Sequence, residues 1–398
     1  MATTLAERMN KFSGSPTSAL IAKVAELKRQ GKDIISLNVG EPDFGTPDYI
    51  KVAGMKAIAD NFTKYTPGNG ILELRQEIVK KLREDNGVEY ALNEVTTAVG
   101  AKQAIASAMM VLAGPGDEVL LPIPCWVSYT EMIRLAGATP VFVPVREDNY
   151  ELDLDAIEKA ITPRTKAIVI CTPNNPTGAV YSEESLRKLA ALAVEHDFFV
   201  VADEIYEKLV YDGAEHLSVA SISQEVRDRT VTVNGFSKAY AMTGWRIGYA
   251  AARADVIKGI MAVQSQTTSA TSAISQKAAV EALRGPQHDL EVMVEEFRRR
   301  KDYVVDRLNR IPGITCPDVK GAFYVYPDVQ LYLGKSFGGR KIETAVELCQ
   351  YLLDEALIST VPGEAYNVPG KIRISYSNSM ENLEKALDRM EQALAALH

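Results

Sequence analysis

Short runs of branched apolar residues alternate along much of the first 285 positions with stretches whose apolar residues recur every three to four places. The runs at 95–99, 119–121, 141–145, 167–171, 198–202 and 230–233 are rich in Val, Ile and Leu, and several stop at Gly, Pro or Asn. That pattern predicts strands covered on both faces. Between them, 102–112, 129–135 and 185–195 carry helical periodicity; Gly114-Pro115-Gly116 closes the first, and Ser182 is placed to cap the last. The run 167–171 ends in Thr172-Pro173-Asn174-Asn175-Pro176-Thr177-Gly178, where two prolines and a glycine forbid continuation. Strand–helix alternation predicts an α/β fold, a mostly parallel sheet covered by helices. Beyond 285 the pattern changes to a long charged helix at 288–308, the strand-like Phe323-Tyr324-Val325-Tyr326, a helix at 344–356, a strand at 371–376 and a terminal helix. The expected division is a large domain over 48–285 and a smaller α+β domain over 286–398, joined by an N-terminal arm, 1–47.

In an open α/β sheet, ligands bind in the crevice outside the carboxyl ends of the strands. Four separate strand ends here carry Gly100-Ala101-Lys102, Asn175, Asp203 with Tyr206, and Ser237-Lys238. Lys238, among small and apolar neighbours, suits a lysine whose lowered pKa supplies a neutral amine for carbonyl condensation; alone it reads equally as a surface lysine. A carboxylate after an apolar strand requires a cation or hydrogen-bond donors, and a protonated ring nitrogen would serve Asp203; it also reads as the N-cap of a helix opening at Glu204. Tyr206 is either a hydroxyl donor into the crevice beside Asn175 or a half-buried helical aromatic. The Gly100 turn offers backbone N–H groups at a helix start, where the cation of Lys102 is unfavourable unless an anion answers it; an ordinary surface loop is the alternative. Trp126, after another strand, either stacks on a planar ring or fills core. In Lys371-Ile372-Arg373-Ile374-Ser375, alternation sets Arg373 opposite the isoleucines, either as a bidentate carboxylate fork or as a surface cation.

Composition narrows the classes. The 398 residues are 46% hydrophobic and 24% charged, enough for a large core. The net charge of -8, with acids and bases interspersed, argues against a nucleic-acid partner. Charges run through the first thirty residues and no long apolar run exists, so neither a signal peptide nor a membrane span is expected. Cys125, Cys171, Cys316 and Cys349 are scattered, which favours buried thiols in a reducing, cytoplasmic compartment. The four histidines show no metal-binding spacing, and no metal is expected.

The chain resembles the class I aminotransferases of the fold-type-I pyridoxal 5'-phosphate (PLP) enzymes, and among them the prokaryotic aspartate aminotransferase subgroup. The resemblance runs nearly end to end: Val39-Gly40-Glu41-Pro42-Asp43-Phe44, Tyr65-Thr66-Pro67-Gly68-Asn69-Gly70, Asn174-Asn175-Pro176-Thr177-Gly178, Ser237-Lys238 and Arg373-Ile374-Ser375-Tyr376. It implies a large domain built on a seven-stranded sheet. It also implies that Lys238 forms the Schiff base with PLP and shuttles protons, that Asp203 pairs with the pyridine nitrogen, and that Tyr206 and Asn175 donate to the phenolic oxygen. Ala101, Lys102, Ser237 and Arg246 match phosphate-holding positions, Trp126 the stacking aromatic, and Arg373 the grip on the substrate α-carboxylate, helped by Asn175, Trp126 and Gly40. Tyr65 matches a residue that reaches the neighbouring subunit's phosphate, implying a homodimer with shared sites.

The expected reaction moves an amino group from L-aspartate to 2-oxoglutarate by a ping-pong route, with Lys102 receiving the substrate's side-chain carboxylate. Ser13 stands where prephenate-using relatives carry lysine, which argues against that activity, and the segment 13–17 reads as either a mobile lid or a loose terminus. Two other readings stay open: the same fold acting on aromatic amino acids, alanine or kynurenine or as a carbon–sulfur lyase, and a PLP-binding regulatory module. No DNA-binding extension accompanies the latter here.

Overall fold

Each predicted apolar run lies in or overlaps a strand of the computed structural model, which describes residues 16–398 together with Met9. A two-residue strand, β1 (Ile35–Ser36), precedes the main sheet. That sheet comprises β2 (Val95–Ala98), β3 (Glu118–Ile123), β4 (Thr139–Pro144), β5 (Thr165–Cys171), β6 (Phe199–Asp203), β7 (Thr230–Gly235) and β8 (Gly248–Ala251). Its order is β2-β8-β7-β6-β5-β3-β4; β8 runs against both neighbours, and the other pairs are parallel. The seven-stranded, mostly parallel α/β sheet is therefore present. β7 and β8 are buried along their whole length, as helix cover on both faces requires, whereas β4 at the edge is largely accessible.

β8 carries no strand-like run in the sequence, being Gly-Tyr-Ala-Ala. Its glycine has a packing reason. A Cβ on Gly248 would come within 2.7 Å of the Ala101 nitrogen, so the missing side chain lets a helix start rest directly on the sheet.

The helices α1 (Pro16–Arg29), α2 (Asp48–Ala59) and α3 (Leu72–Asn86) lead into the sheet. α4 (Ala101–Leu112) follows β2, and α5 (Ser128–Leu135) follows β3. Ser182 caps Glu183–Glu195 as expected, its Oγ accepting from the Ser185 N–H at 3.2 Å. Residues 13–15 lie outside the described residues, Ser13 among them, and Pro16 and Thr17 begin α1.

After Ala273–Arg284 and Gly285, the chain enters the 22-residue helix His288–Asn309. Beyond it lie β9 (Tyr324–Val325), the hairpin β10 (Ser336–Phe337) and β11 (Arg340–Lys341), then β12 (Ile358–Ser359), β13 (Val361–Pro362) and β14 (Ile372–Ser375). β13-β14-β9 form an antiparallel sheet, and β1 pairs in parallel with β12, bringing the N-terminal segment onto this C-terminal body. Among the described residues, no helix is long and apolar enough to cross a membrane, and all four cysteines are free and buried.

Candidate active site

The carboxyl ends of β2, β3 and β5 to β7 open onto a cavity of about 410 Å³, closed from the opposite side by Gly40 and Glu41 and by Tyr324, Tyr366 and Arg373. Ala101, Lys102, Trp126, Asn175, Asp203, Tyr206, Ser237, Lys238 and Arg246 all line it. Its volume falls in the range of small-molecule and cofactor pockets. Tyr65 is not brought there: it is 97% exposed, away from its own chain's cavity.

Lys238 sits three residues past β7, and its Nζ donates to the Gly40 carbonyl at 2.5 Å. Burial pushes the ammonium down to about 8, outweighing the carboxylates of Glu41 and Asp203 that would raise it. The surface-lysine reading is thereby corrected. A lysine so placed holds a substantial neutral amine fraction near physiological pH.

Asp203 is the last residue of β6 and is only 3% exposed. No helix follows; Glu204 begins a turn, so the N-cap reading fails because the chain folds back at once. Tyr206 is likewise fully buried in that turn rather than on a helix. The Asp203 carboxylate accepts from the Tyr129 hydroxyl at 2.6 Å and from the Ile205 N–H at 3.3 Å. Burial still lifts it to about 6, outweighing the Tyr129 and Ile205 hydrogen bonds and the nearby Lys238 charge. Such a carboxylate suits a protonated ring nitrogen, whose charge offsets the burial.

At the far end of the cavity, Gly100 caps α4 with φ +78°, which favours glycine. Gln103 is the first N–H to bond back to the Gly100 carbonyl, so those of Ala101 and Lys102 project from the helix start. A Cβ on Gly100 would lie 2.6 Å from Arg246 Nη2; glycine thus lets the guanidinium lie against the same helix start. Arg246 is held by the carbonyls of Thr243 at 2.8 Å and Val99 at 3.3 Å. Lys102 rests over the Trp126 ring, 4.8 Å from its centroid, and burial together with the Arg246 charge lowers its pKa. Two cations, a helix start and the Ser237 side chain form a cradle for a phosphate.

Arg373 is 3% exposed, so the surface-cation reading is also corrected. It donates to the Asn38 carbonyl at 2.6 Å and to Asn175 Oδ1 at 3.2 Å, while its Nε is buried with no hydrogen-bond partner among the described residues. An unsatisfied buried guanidinium nitrogen suits an incoming carboxylate. Its guanidinium lies over the Tyr324 ring, 4.5 Å from the centroid, and the Tyr324 hydroxyl is 2.9 Å from that of Tyr206.

Sequence reasoning missed Tyr129, Tyr324 and Tyr366 as cavity residues. Tyr129 stands three places after Trp126, one helical turn on, and that spacing was the available signal; the other two arrive from the C-terminal body without a local cue. It also missed that His216 packs with Glu204 and Glu207, all three offering ligand-type atoms within 4.8 Å. There, Lys81 forms a buried ion pair with Glu207, and Asn86 donates to Glu207 at 2.7 Å, so an ammonium already fills the cationic role.

Cavity, anion cradle, buried carboxylate and reactive amine together define an enzyme that works through a phosphorylated aromatic aldehyde, PLP. Residues 32–390 match the family model described as aminotransferase class I and II. The chain is 43% identical over 389 residues to an aspartate aminotransferase of Bacillus sp. strain YM-2, covering 98% of each. It is 44% identical to a probable aspartate/prephenate aminotransferase of Aquifex aeolicus, again over 98% of each. The crystal structure of an aspartate aminotransferase from Rhizobium meliloti superposes with a TM-score of 0.96 at 41% identity, covering 100% of both chains. This chain belongs to the class I and II aminotransferases and is a PLP-dependent transaminase.

Proposed function

We propose that this aminotransferase takes L-aspartate as amino donor and 2-oxoglutarate as acceptor, alternating between them by a ping-pong mechanism at the 410 Å³ cavity. The observation that carries the reading is the lowered, half-buried amine of Lys238 facing the same cavity as the buried Asp203 carboxylate and the Arg373 guanidinium. Aspartate is the substrate named for several relatives 41–43% identical over nearly the whole chain, and the Lys102 ammonium at the cavity supports a second carboxylate.

PLP, when bound, supplies an electron sink that acidifies the Cα–H of the attached amino acid. Lys238 would anchor the cofactor, and its neutral amine would be the group that takes up and hands on the Cα proton. Asp203, oriented by Tyr129, holds the ring nitrogen protonated. Tyr206 and the Asn175 amide donate to the phenolic oxygen, and Trp126 covers the ring face. The N–H groups of Ala101 and Lys102, with Ser237 and Arg246, bind the phosphate. Arg373, with Asn175 and Gly40 beside it, orients the α-carboxylate so that the Cα–H faces the Lys238 amine.

The unit in this reading is a cytoplasmic homodimer with a large domain over 48–285 and a small domain formed by 286–398 and the arm 1–47. Val52, Met55 and Ile58 on α2 are exposed, as are Leu72 and Tyr65, and this apolar surface supports a subunit contact through which Tyr65 reaches the partner's phosphate. Four free buried thiols support a reducing compartment.

Borohydride reduction of the holoenzyme, digestion and mass mapping should find the pyridoxyl adduct on Lys238. Presented singly, aspartate should convert the bound cofactor to its amino form faster than alanine, phenylalanine or kynurenine does. An adduct elsewhere removes the role of Lys238, and a preference for another donor removes aspartate.

A further inference from the structure

Tyr324 touches both halves of the site. Its ring face carries the Arg373 guanidinium, and its hydroxyl meets that of Tyr206 at 2.9 Å. It is fully enclosed and held closely, since a Cβ on Gly40 would come within 3.1 Å of its hydroxyl. A tyrosine hydroxyl has one proton to donate. If Tyr206 gives its proton to the phenolic oxygen of the cofactor, the bond between the two tyrosines requires Tyr324 to be the donor. A hydroxyl that accepts a hydrogen bond becomes a stronger donor itself.

We propose that Tyr324 is a positioning residue with two separable actions: its hydroxyl fixes and strengthens Tyr206 as a donor to the cofactor, and its ring aims Arg373 at the substrate carboxylate. This rests on the roles of Tyr206 and Arg373 given above. Sequence alone does not reveal it, because Tyr324 and Tyr206 lie 118 positions apart.

The two actions have different readouts. Draining negative charge from the phenolic oxygen makes the nitrogen linking Lys238 to the cofactor hold its proton less tightly, so loss of the donor raises the pKa of that nitrogen. It is read directly from the absorbance of the resting holoenzyme against pH. Cys171, Glu41 and Arg373 face the tyrosine pair, and Asp203, Glu41, Arg246 and Arg373 face Lys238; all are common to wild type and variants, so their charges cancel in the comparison.

Tyr206→Phe should raise the linkage pKa by about one to two units, the worth of a hydrogen bond to a charged group. Tyr324→Phe, which keeps the ring, should raise it by about half a unit and leave the affinity for maleate, an unreactive dicarboxylate, within about twofold. In the double variant the Tyr324 change should add nothing further. Tyr324→Leu removes the ring as well and should weaken maleate about tenfold, the loss of one desolvated cation–π contact. Tyr324→Met, whose longer and more adaptable side chain fills an irregular gap better, replaces it if the leucine variant does not fold.

No shift in Tyr206→Phe overturns the role of Tyr206 itself. A shift there with none in Tyr324→Phe, or an equal Tyr324 effect in the absence of the Tyr206 hydroxyl, overturns the hydroxyl action. Unchanged maleate affinity without the ring overturns the second action.

Discussion

Replacing Asp203 by Asn should stabilise the cofactor-free protein while abolishing its activity. Burial lifts this carboxyl from the ordinary 3.8 to about 6, although Tyr129 and the Ile205 N–H pull it down. A rise of about two pH units corresponds to ~3 kcal/mol. Because the folded value is raised, the stabilising contribution is complete below pH 3.8 and is lost as pH climbs through about 6. At neutral pH the ionised carboxylate therefore costs the empty protein ~3 kcal/mol relative to strong acid. Asparagine keeps an acceptor for Tyr129 and has no charge to desolvate. Allowing for the weaker bond to a neutral acceptor, D203N apoprotein should gain about 1–3 kcal/mol at pH 8. At pH 5 the wild-type carboxyl is mostly protonated, and the gap should narrow by about 1–1.5 kcal/mol. Urea unfolding of both apoproteins at the two pH values measures the gap directly. A destabilised variant at pH 8, or a gap that does not change with pH, would refute the claim that Asp203 is held ionised against its surroundings. Such an exchange of stability for function is expected where a charge is kept buried for a ligand.

The rate at which apoenzyme captures PLP should rise about tenfold per pH unit and level off near pH 8, since the neutral Lys238 amine is the reactive form; stopped-flow absorbance that keeps climbing to pH 10 would contradict the lowered amine. Arg373→Leu should reduce kcat/KM for aspartate by about a hundredfold or more, the cost of losing a buried, hydrogen-bonded charge pair with the substrate carboxylate, and, because the Arg373 charge acts to lower Lys238, should move the pH dependence of the cofactor spectrum upwards while the cofactor stays bound. Lys81→Met should cost about 3–5 kcal/mol by removing the ammonium that compensates the buried Glu207 carboxylate. Burial acts to raise Glu207, but Lys81, His216 and Asn86 hold it at about 2, so this stabilisation is present above pH 4.5 and lost as pH falls towards 2. A variant that melts like wild type at pH 7 would show the pair to be dispensable.

The strands were legible wherever branched apolar runs met a Gly, Pro or Asn stop. They were illegible at β8, whose small residues are chosen for contact with α4 rather than for strand propensity. The leading helices α1 to α3 were not picked out, although Leu74, Ile78 and Leu82 form a buried stripe at helical spacing on α3. Asp203 and Tyr206 were located as site residues, but their alternative as the start of a helix was wrong because acidic and aromatic residues after a strand carry no signal that distinguishes a tight turn from a first helical turn.

By itself, the chain's order of apolar runs and turn residues determined an α/β sheet and put Lys238, Asp203, Asn175 and the Gly100 turn at strand ends, because strand formation and chain reversal depend on near neighbours. Only the tertiary structure decided that the Lys238 amine meets the Gly40 carbonyl 198 positions away, that Asp203 leans on Tyr129, and that Tyr324 joins Tyr206 to Arg373. Desolvation and hydrogen bonding depend on what surrounds a group in space, and in this protein those surroundings come from segments far apart along the chain.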